Sequence, residues 1–266
     1  MELVDRPAVQ SSAADLADEV KSRSAPDAAA RLASFSGLEI AAALMRLSPG
    51  FAQDVLGALP DEARERALAA APPEVSRQWQ RNALYEPDAI GRMMEPVLAV
   101  FSHQRTVGET IEQLREMVKS ALITYVYVVD AAEYLLGIVT MRDLLFSDHD
   151  RLLSEVMFRD VFALHAAMPL TDAMKLVLDR HYPVYPVVDA ERRLLGLVRG
   201  HSMFEAQAIE ITLQAGSMVG VEKEERLATP WLTSLRLRHP WLQLNLLPHF
   251  SPPQWSASSR TPSIAW

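Results

Sequence analysis

The chain has no cysteine, so it can form neither disulfides nor thiolate metal sites, which suits a reducing compartment. It also has no long run of Lys or Arg, and its formal charge of -8 leaves no basic face to neutralise a phosphate backbone. Nucleic acid is therefore not expected as a partner, whereas cations or basic surfaces suit the acidic balance. Residues 1–24 are interrupted by Glu2, Asp5, Arg6, Asp15, Asp18, Glu19 and Lys21, which excludes the apolar core of a signal peptide. No stretch of about 18 apolar residues is present to cross a bilayer, so the sequence as written reads as cytoplasmic. Catalytic motifs are missing as well. There is no Walker-type glycine loop, no Gly-x-Ser-x-Gly elbow and no pair of histidines at helical zinc-site spacing, so no enzyme activity is expected and the seven histidines read as structural or surface residues.

What is present is enough apolar material for two or three compact units: 266 residues, 49% of them hydrophobic. From Asp15 to Tyr85, Ala, Leu and Met recur at three- and four-residue spacing, punctuated by Ser48-Pro49, Leu59-Pro60-Asp61 and Ala71-Pro72-Pro73-Glu74. Proline in a first helical turn forfeits no hydrogen bond, so these positions predict helix starts, with Asp61 and Glu74 favourably placed at positive helix ends.

After Met94-Glu95-Pro96 the texture changes to β-branched and aromatic runs alternating with amphipathic stretches. This part repeats itself: Val128-Val129-Asp130 followed by Leu135-Leu136-Gly137-Ile138-Val139 returns as Val187-Val188-Asp189 followed by Leu194-Leu195-Gly196-Leu197-Val198. Each copy reads strand, turn, strand. A helix precedes each (107–119 and 170–181), and another opens near Arg142 and near Ser202. Two such units are expected to pack together, because each has an apolar sheet face to cover.

These repeats resemble a tandem pair of cystathionine-β-synthase-type (CBS) domains, βαββα modules that dimerise in pairs and often bind adenine nucleotides. The first copy carries the family's strand-end signature in full, Gly137-Ile138-Val139-Thr140-Met141-Arg142-Asp143. The second departs from it, with Arg199 in place of the Thr and Ser202 in place of the Asp. The flanks narrow the resemblance. Tyr85-Glu86-Pro87-Asp88-Ala89-Ile90-Gly91-Arg92-Met93-Met94 looks like the junction between the N domain and CBS pair of MgtE-type magnesium transporters. Residues 215–226 look like that family's connecting helix, and Pro230-Trp231 through Leu247 like the entry to its first membrane helix.

The resemblance implies an α + α/β organisation. A flexible start (1–14) leads to a helical N-type lobe (15–88), then CBS domains at 89–150 and 151–210. A plug-like connecting helix (211–228) and the start of a membrane helix (229–247) follow. It implies a homodimer through the CBS domains, a transmembrane pore as the partner in full-length relatives, and a regulatory function in which Mg²⁺ held between acidic surfaces keeps the pore shut. Asp88, Glu205, Glu210, Glu222, Glu224 and Glu225 are the metal candidates, each otherwise an ordinary solvated charge. Thr140 and Asp143 are the nucleotide candidates, contacting phosphate and ribose of ATP or a related adenine nucleotide, or else a plain strand-end hydroxyl and helix cap. A free-standing CBS-pair nucleotide sensor and an inert fragment are the competing readings. The tail 248–266 is broken by Pro248, Pro252 and Pro253 where an apolar helix is due, which predicts a single-base slip near codon 248 with the pore encoded in a shifted frame.

Overall fold

A computed structural model describes residues 6–119 and 121–218, with side chains over 13–119 and 121–209. The N-terminal part is six short helices: α1 (Arg6–Val20), α2 (Ala25–Leu32), α3 (Gly37–Leu44), α4 (Pro49–Ala58), α5 (Asp61–Ala70) and α6 (Pro73–Asn82). The prolines act as the sequence predicts, with Pro49 and Pro73 in first turns and Pro60 capping α5. Helix α3 is closed by a reciprocal capping box between Ser36 and Glu39, which satisfies two otherwise orphaned N–H groups. Helix α1 begins at Arg6, within the segment expected to be flexible. Leu32, Ile40, Leu44, Val55 and Trp79 lie in the core of this lobe.

Two copies of one α/β unit follow. In the first, β1 (Val100–Ser102), β2 (Tyr125–Val129) and β3 (Leu135–Thr140) form a mixed sheet, with α7 (Val107–Met117) crossing between β1 and β2 and α8 (Met141–Phe146) leaving β3. The second repeats this with β4 (Leu164–His165), β5 (Val184–Val188) and β6 (Leu194–Arg199), α10 (Leu170–Val177) and α11 (Gly200–Met218). A short helix, α9 (Leu153–Val156), joins the units. In each sheet the first pair is parallel and the second antiparallel, with a register shift at the equivalent points Val128/Val129 and Val187/Val188.

The repeated aspartate has a structural reason. Asp130 Oδ1 accepts from the N–H groups of Ala132 (2.8 Å) and Tyr134 (3.0 Å), and Asp189 Oδ1 from those of Glu191 (3.0 Å) and Arg193 (2.8 Å). Each carboxylate thus builds its hairpin turn, aided by Glu133 and Arg192 in the left-handed region at φ 64°. The two turns then pair with each other: Leu135 N–H donates to Arg192 O and Leu194 N–H to Glu133 O, both at 3.0 Å.

The chain segments ahead of each unit are exchanged. Ile90, Met93 and Met94 belong to the core of the second unit, and Leu153 and Met157 to the core of the first. Leu153 and Met157, which follow the boundary expected at 150/151, thus pack in the core of the first unit. Two backbone crossings fix the exchange. Glu95 and Leu197 trade hydrogen bonds at 2.8 and 3.0 Å, while Ile138 and Phe158 do so at 3.0 and 2.8 Å. The repeated glycines permit it: a Cβ on Gly137 would lie 2.7 Å from Met157 Sδ and from Phe158 O, and one on Gly196 would lie 3.0 Å from Glu95 O.

Candidate functional site

The end of β3 positions the first pair of candidates. Thr140 is the N-cap of α8, its Oγ1 accepting from Asp143 N–H at 3.2 Å, while Asp143 Oδ2 accepts from Thr140 N–H at 3.3 Å and from Thr140 Oγ1 at 2.5 Å. Both side chains are therefore engaged with each other in a capping box, the bland alternative the sequence allowed, and they are adjacent as a shared site requires. Oδ1 of Asp143 lies 3.8 Å from Arg142 Nε, and the Asp143 side chain is 21% exposed, so one carboxylate oxygen faces a neighbouring guanidinium. That leaves an acceptor and a cation side by side at a strand end, a geometry that can hold a diol and an anionic group.

The equivalent position in the second unit has different chemistry. At the end of β6, Arg199 Nε donates to both carboxylate oxygens of Glu95, at 2.9 and 3.0 Å. By the exchange described above, Glu95 occupies the place that Phe158 takes in the first unit. The positions held by Thr140 and Phe158 in one unit thus carry an Arg–Glu ion pair in the other. Ser202, standing where the first unit has Asp143, is buried.

The acidic candidates are dispersed. Asp88 is exposed in the turn before a 3-10 turn at Ile90–Met93, where its carbonyl accepts from Leu170 N–H at 2.8 Å. Glu205 is exposed on α11. Glu210 lies on α11 too, with its side chain outside the described residues, and Glu222, Glu224 and Glu225 lie outside them altogether, as does the Trp231–Leu247 stretch and the tail 248–266. Among the described residues no group of three or more His, Asp or Glu comes together to hold a metal ion. No helix among them is long and apolar enough to cross a membrane.

The junction expected from Tyr85 through Met94 is present, but the contacts that hold the helical lobe to the second unit were not foreseen from the sequence. Asn82 Nδ2 donates to Met94 O at 2.7 Å, Gln78 Nε2 donates to Asn82 Oδ1 at 2.8 Å, and Arg81 Nη1 donates to Leu195 O at 2.8 Å. Tyr85 lays its ring against Gly91, where a Cβ would come within 2.4 Å of it. Beside this junction lies an open groove of about 600 Å³ with apolar walls including Met45, Phe51 and Trp79. Its charged lining is Lys21, Arg46 and Arg199 against Glu95 and Glu205, with Glu95 already paired, and His201 lies beside them. That donor set does not suit a hard divalent cation, which takes oxygen ligands. Part of the signal was in the sequence, since Ser202 stands where the resemblance calls for an aspartate.

The fold has known counterparts. The CBS domain family matches residues 89–150 and 153–208. The magnesium transporter MgtE of Enterococcus faecalis is 28% identical over 159 residues, 59% of this chain and 35% of that protein. That of Thermus thermophilus is 29% identical over 182 residues, 66% of this chain and 40% of that protein. The chain thus spans two fifths or less of the length of these curated relatives. Among solved structures, the cytosolic domain of the Mg²⁺ channel MgtE in complex with ATP superposes with a TM-score of 0.61 at 28% identity, covering 71% of this chain and 78% of that one. The soluble part of a magnesium transporter shares the fold, with a TM-score of 0.63 at 24% identity over 79% of this chain and 84% of that one. The chain, a helical lobe followed by two CBS domains, is a homologue of the cytosolic region of MgtE magnesium transporters.

Proposed function

We propose that the chain is the Mg²⁺-sensing regulatory region of an MgtE-type transporter, acting as a homodimer on a transmembrane pore. The observation that carries this reading is the order of parts: a lobe docked on the second CBS module, and a helix, α11, that continues without a break from the last strand of that module. A rigid helix rooted in a sheet transmits any movement of the module to whatever follows it. The cations Lys21, Arg46 and Arg199 lining the groove beside the lobe disfavour a divalent-ion site inside it. Sensing falls instead to α11 and the acid-rich stretch beyond it, with Glu205, Glu210, Glu222, Glu224 and Glu225 of two copies brought close, and Asp88 at the lobe's edge. Carboxylates crowded between copies repel one another, and a hydrated Mg²⁺ relieves the repulsion, so the compact dimer is populated only when the ion is plentiful.

Proteolysis of the whole chain, titrated with Mg²⁺ and followed in parallel by light scattering, tests this. Millimolar Mg²⁺ is expected to protect a dimer beyond the effect of matched NaCl. A monomeric mass, or protection no greater than that of the salt, overturns the reading.

Thr140 and Asp143 supply the nucleotide part of the function, on the strength of their adjacency at the strand end and of the ATP complex of the related cytosolic domain. Asp143 holds the ribose and Thr140 lies near the phosphates. Asp143→Ala removes one charge-assisted hydrogen bond and is expected to weaken ATP binding by about 1.5–3 kcal/mol, read by calorimetry. Parental affinity in that variant sinks the assignment. Nucleotide binding with no response to Mg²⁺ favours the second reading, a CBS-pair nucleotide sensor acting on a soluble partner.

A further inference from the structure

The open groove of about 600 Å³ beside the lobe junction takes one wall from the lobe and the other from the second module. Met45, Phe51 and Trp79 line the lobe wall, and Ile209 on α11 lines the module wall. Met45 is 46% exposed and Ile209 38% exposed, so apolar surface from two distant parts of the chain meets solvent on both sides of one cleft. A single exposed apolar residue is ordinary. A concave surface that shows one on each wall, with a volume in the range of small-molecule sites, fits a bound apolar body, and the flexible methionine can adapt to its shape.

The charges in the groove select the other end of such a ligand. The chain as a whole carries a formal charge of -8, yet here Lys21, Arg46 and Arg199 stand against Glu95 and Glu205. Arg199 and Glu95 are engaged with each other at 2.9 Å, and Lys21 reaches Asp18 at 3.3 Å. Arg46 is exposed, and its guanidinium has no hydrogen bond or ion pair among the described residues. Ser48, two residues on and in the same lining, makes no side-chain cap bond to α4, so its hydroxyl is also available. Glu205, the acid left over, is on the module wall and exposed, where solvent screens it. A free guanidinium beside a hydroxyl matches a carboxylate in charge and in donor geometry.

We propose that this groove binds an amphipathic monoanion, a free carboxylate on an unbranched alkyl chain, with the carboxylate on Arg46 and Ser48 and the chain laid between Met45, Phe51 and Trp79 on one side and Ile209 on the other. A ligand that touches both walls binds only the form in which the lobe is docked, so by mass action it tightens the lobe on the second module. The inference is independent of the Mg²⁺ reading, since it uses neither the acidic stretch beyond α11 nor the Thr140–Asp143 strand end.

Octanoate, titrated into the full chain and read by calorimetry and ligand-observed NMR, is the probe. It is expected to saturate, while acetate and octanol, each with half of the chemistry, bind at least about tenfold more weakly, and octylammonium, with the charge reversed, more weakly again. Arg46→Glu is expected to weaken octanoate at least about tenfold and to leave octanol within about twofold. Ile209→Glu, on the opposite wall, is expected to weaken octanoate and octanol alike, each about tenfold or more. Both positions are exposed, so both variants are expected to keep the parent's circular dichroism spectrum. Saturating octanoate is also expected to raise the temperature at which small-angle scattering shows the lobe leaving the second module. The proposal is overturned if octanoate does not saturate, if octanol or octylammonium binds as tightly, or if either folded variant binds octanoate like the parent. It is also overturned if the lobe leaves at an unchanged temperature. Binding that disappears in Asp143→Ala belongs to the strand end of the first module and equally refutes it.

Discussion

Replacing Ile90 with alanine is expected to remove about 2–5 kcal/mol of stability from the second CBS module and to leave the first nearly untouched. Ile90 lies at the start of the sequence matched to the first CBS domain, yet it is fully buried in the core of the second unit with Leu164, Val187, Val198 and Met203. Its N–H donates to Met168 O at 2.8 Å, and that of Gly91 to Ala166 O at 2.7 Å, so the segment is stitched in by backbone as well as side chain. Truncating a buried isoleucine costs the transfer of its methyl groups plus the cavity left behind, and a backbone so pinned cannot collapse into the space. Leu153→Ala is the mirror experiment and should loosen the first module. Amide exchange resolved over 125–140 and 184–199 distinguishes the two. Faster exchange confined to 125–140 in Ile90→Ala contradicts the exchanged-segment architecture.

Asn82→Leu is expected to cost about 1–3 kcal/mol for each buried group it orphans, hence about 2–6 kcal/mol for the Met94 carbonyl and the Gln78 amide together. Asn82 is 1% exposed and bridges these two groups with bonds of 2.7 and 2.8 Å. Leucine is close in volume, so the loss is one of hydrogen bonds and not of packing. Because Asn82 ends the last lobe helix and Met94 lies in the second module's core, the lobe should detach before the modules unfold. Small-angle scattering at a temperature below the main melt should show an extended particle. A compact particle with parental stability means that the lobe is held by something other than this bridge.

These two expectations bear on regulation. The lobe is fastened by the hydrogen bonds of Asn82 and Arg81 and by the Tyr85 ring packed against Gly91, beside a groove lined by Lys21, Arg46 and Arg199. On the proposed reading, a response to Mg²⁺ works through α11 and the residues beyond it. Protection by Mg²⁺ that persists in Asn82→Leu locates sensing on the CBS and α11 side, as proposed.

By itself the sequence determined the local elements. Proline in first turns set the starts of α4 and α6, the Val-Val-Asp repeats set two hairpins, and Gly-Ile-Val-Thr-Met-Arg-Asp set a strand running into a capped helix. All of these depend on residues within a few positions of one another, where backbone stereochemistry and short-range hydrogen bonds decide the outcome. The family likeness was legible for the same reason, since its motifs are local. The tertiary structure alone decided which core each segment enters. Ile90 and Leu153 are apolar in either assignment, and only the close approach allowed at Gly196 and Gly137 selects the exchanged one. It likewise joined Arg199 to Glu95, 104 positions away, and left the buried Tyr127 hydroxyl without a hydrogen-bond partner among the described residues. In sequence Arg199 is merely a departure from a motif, because a pairing across that distance leaves no periodic or spacing signal; it is made when two sheets, each with one apolar face to bury, close on each other.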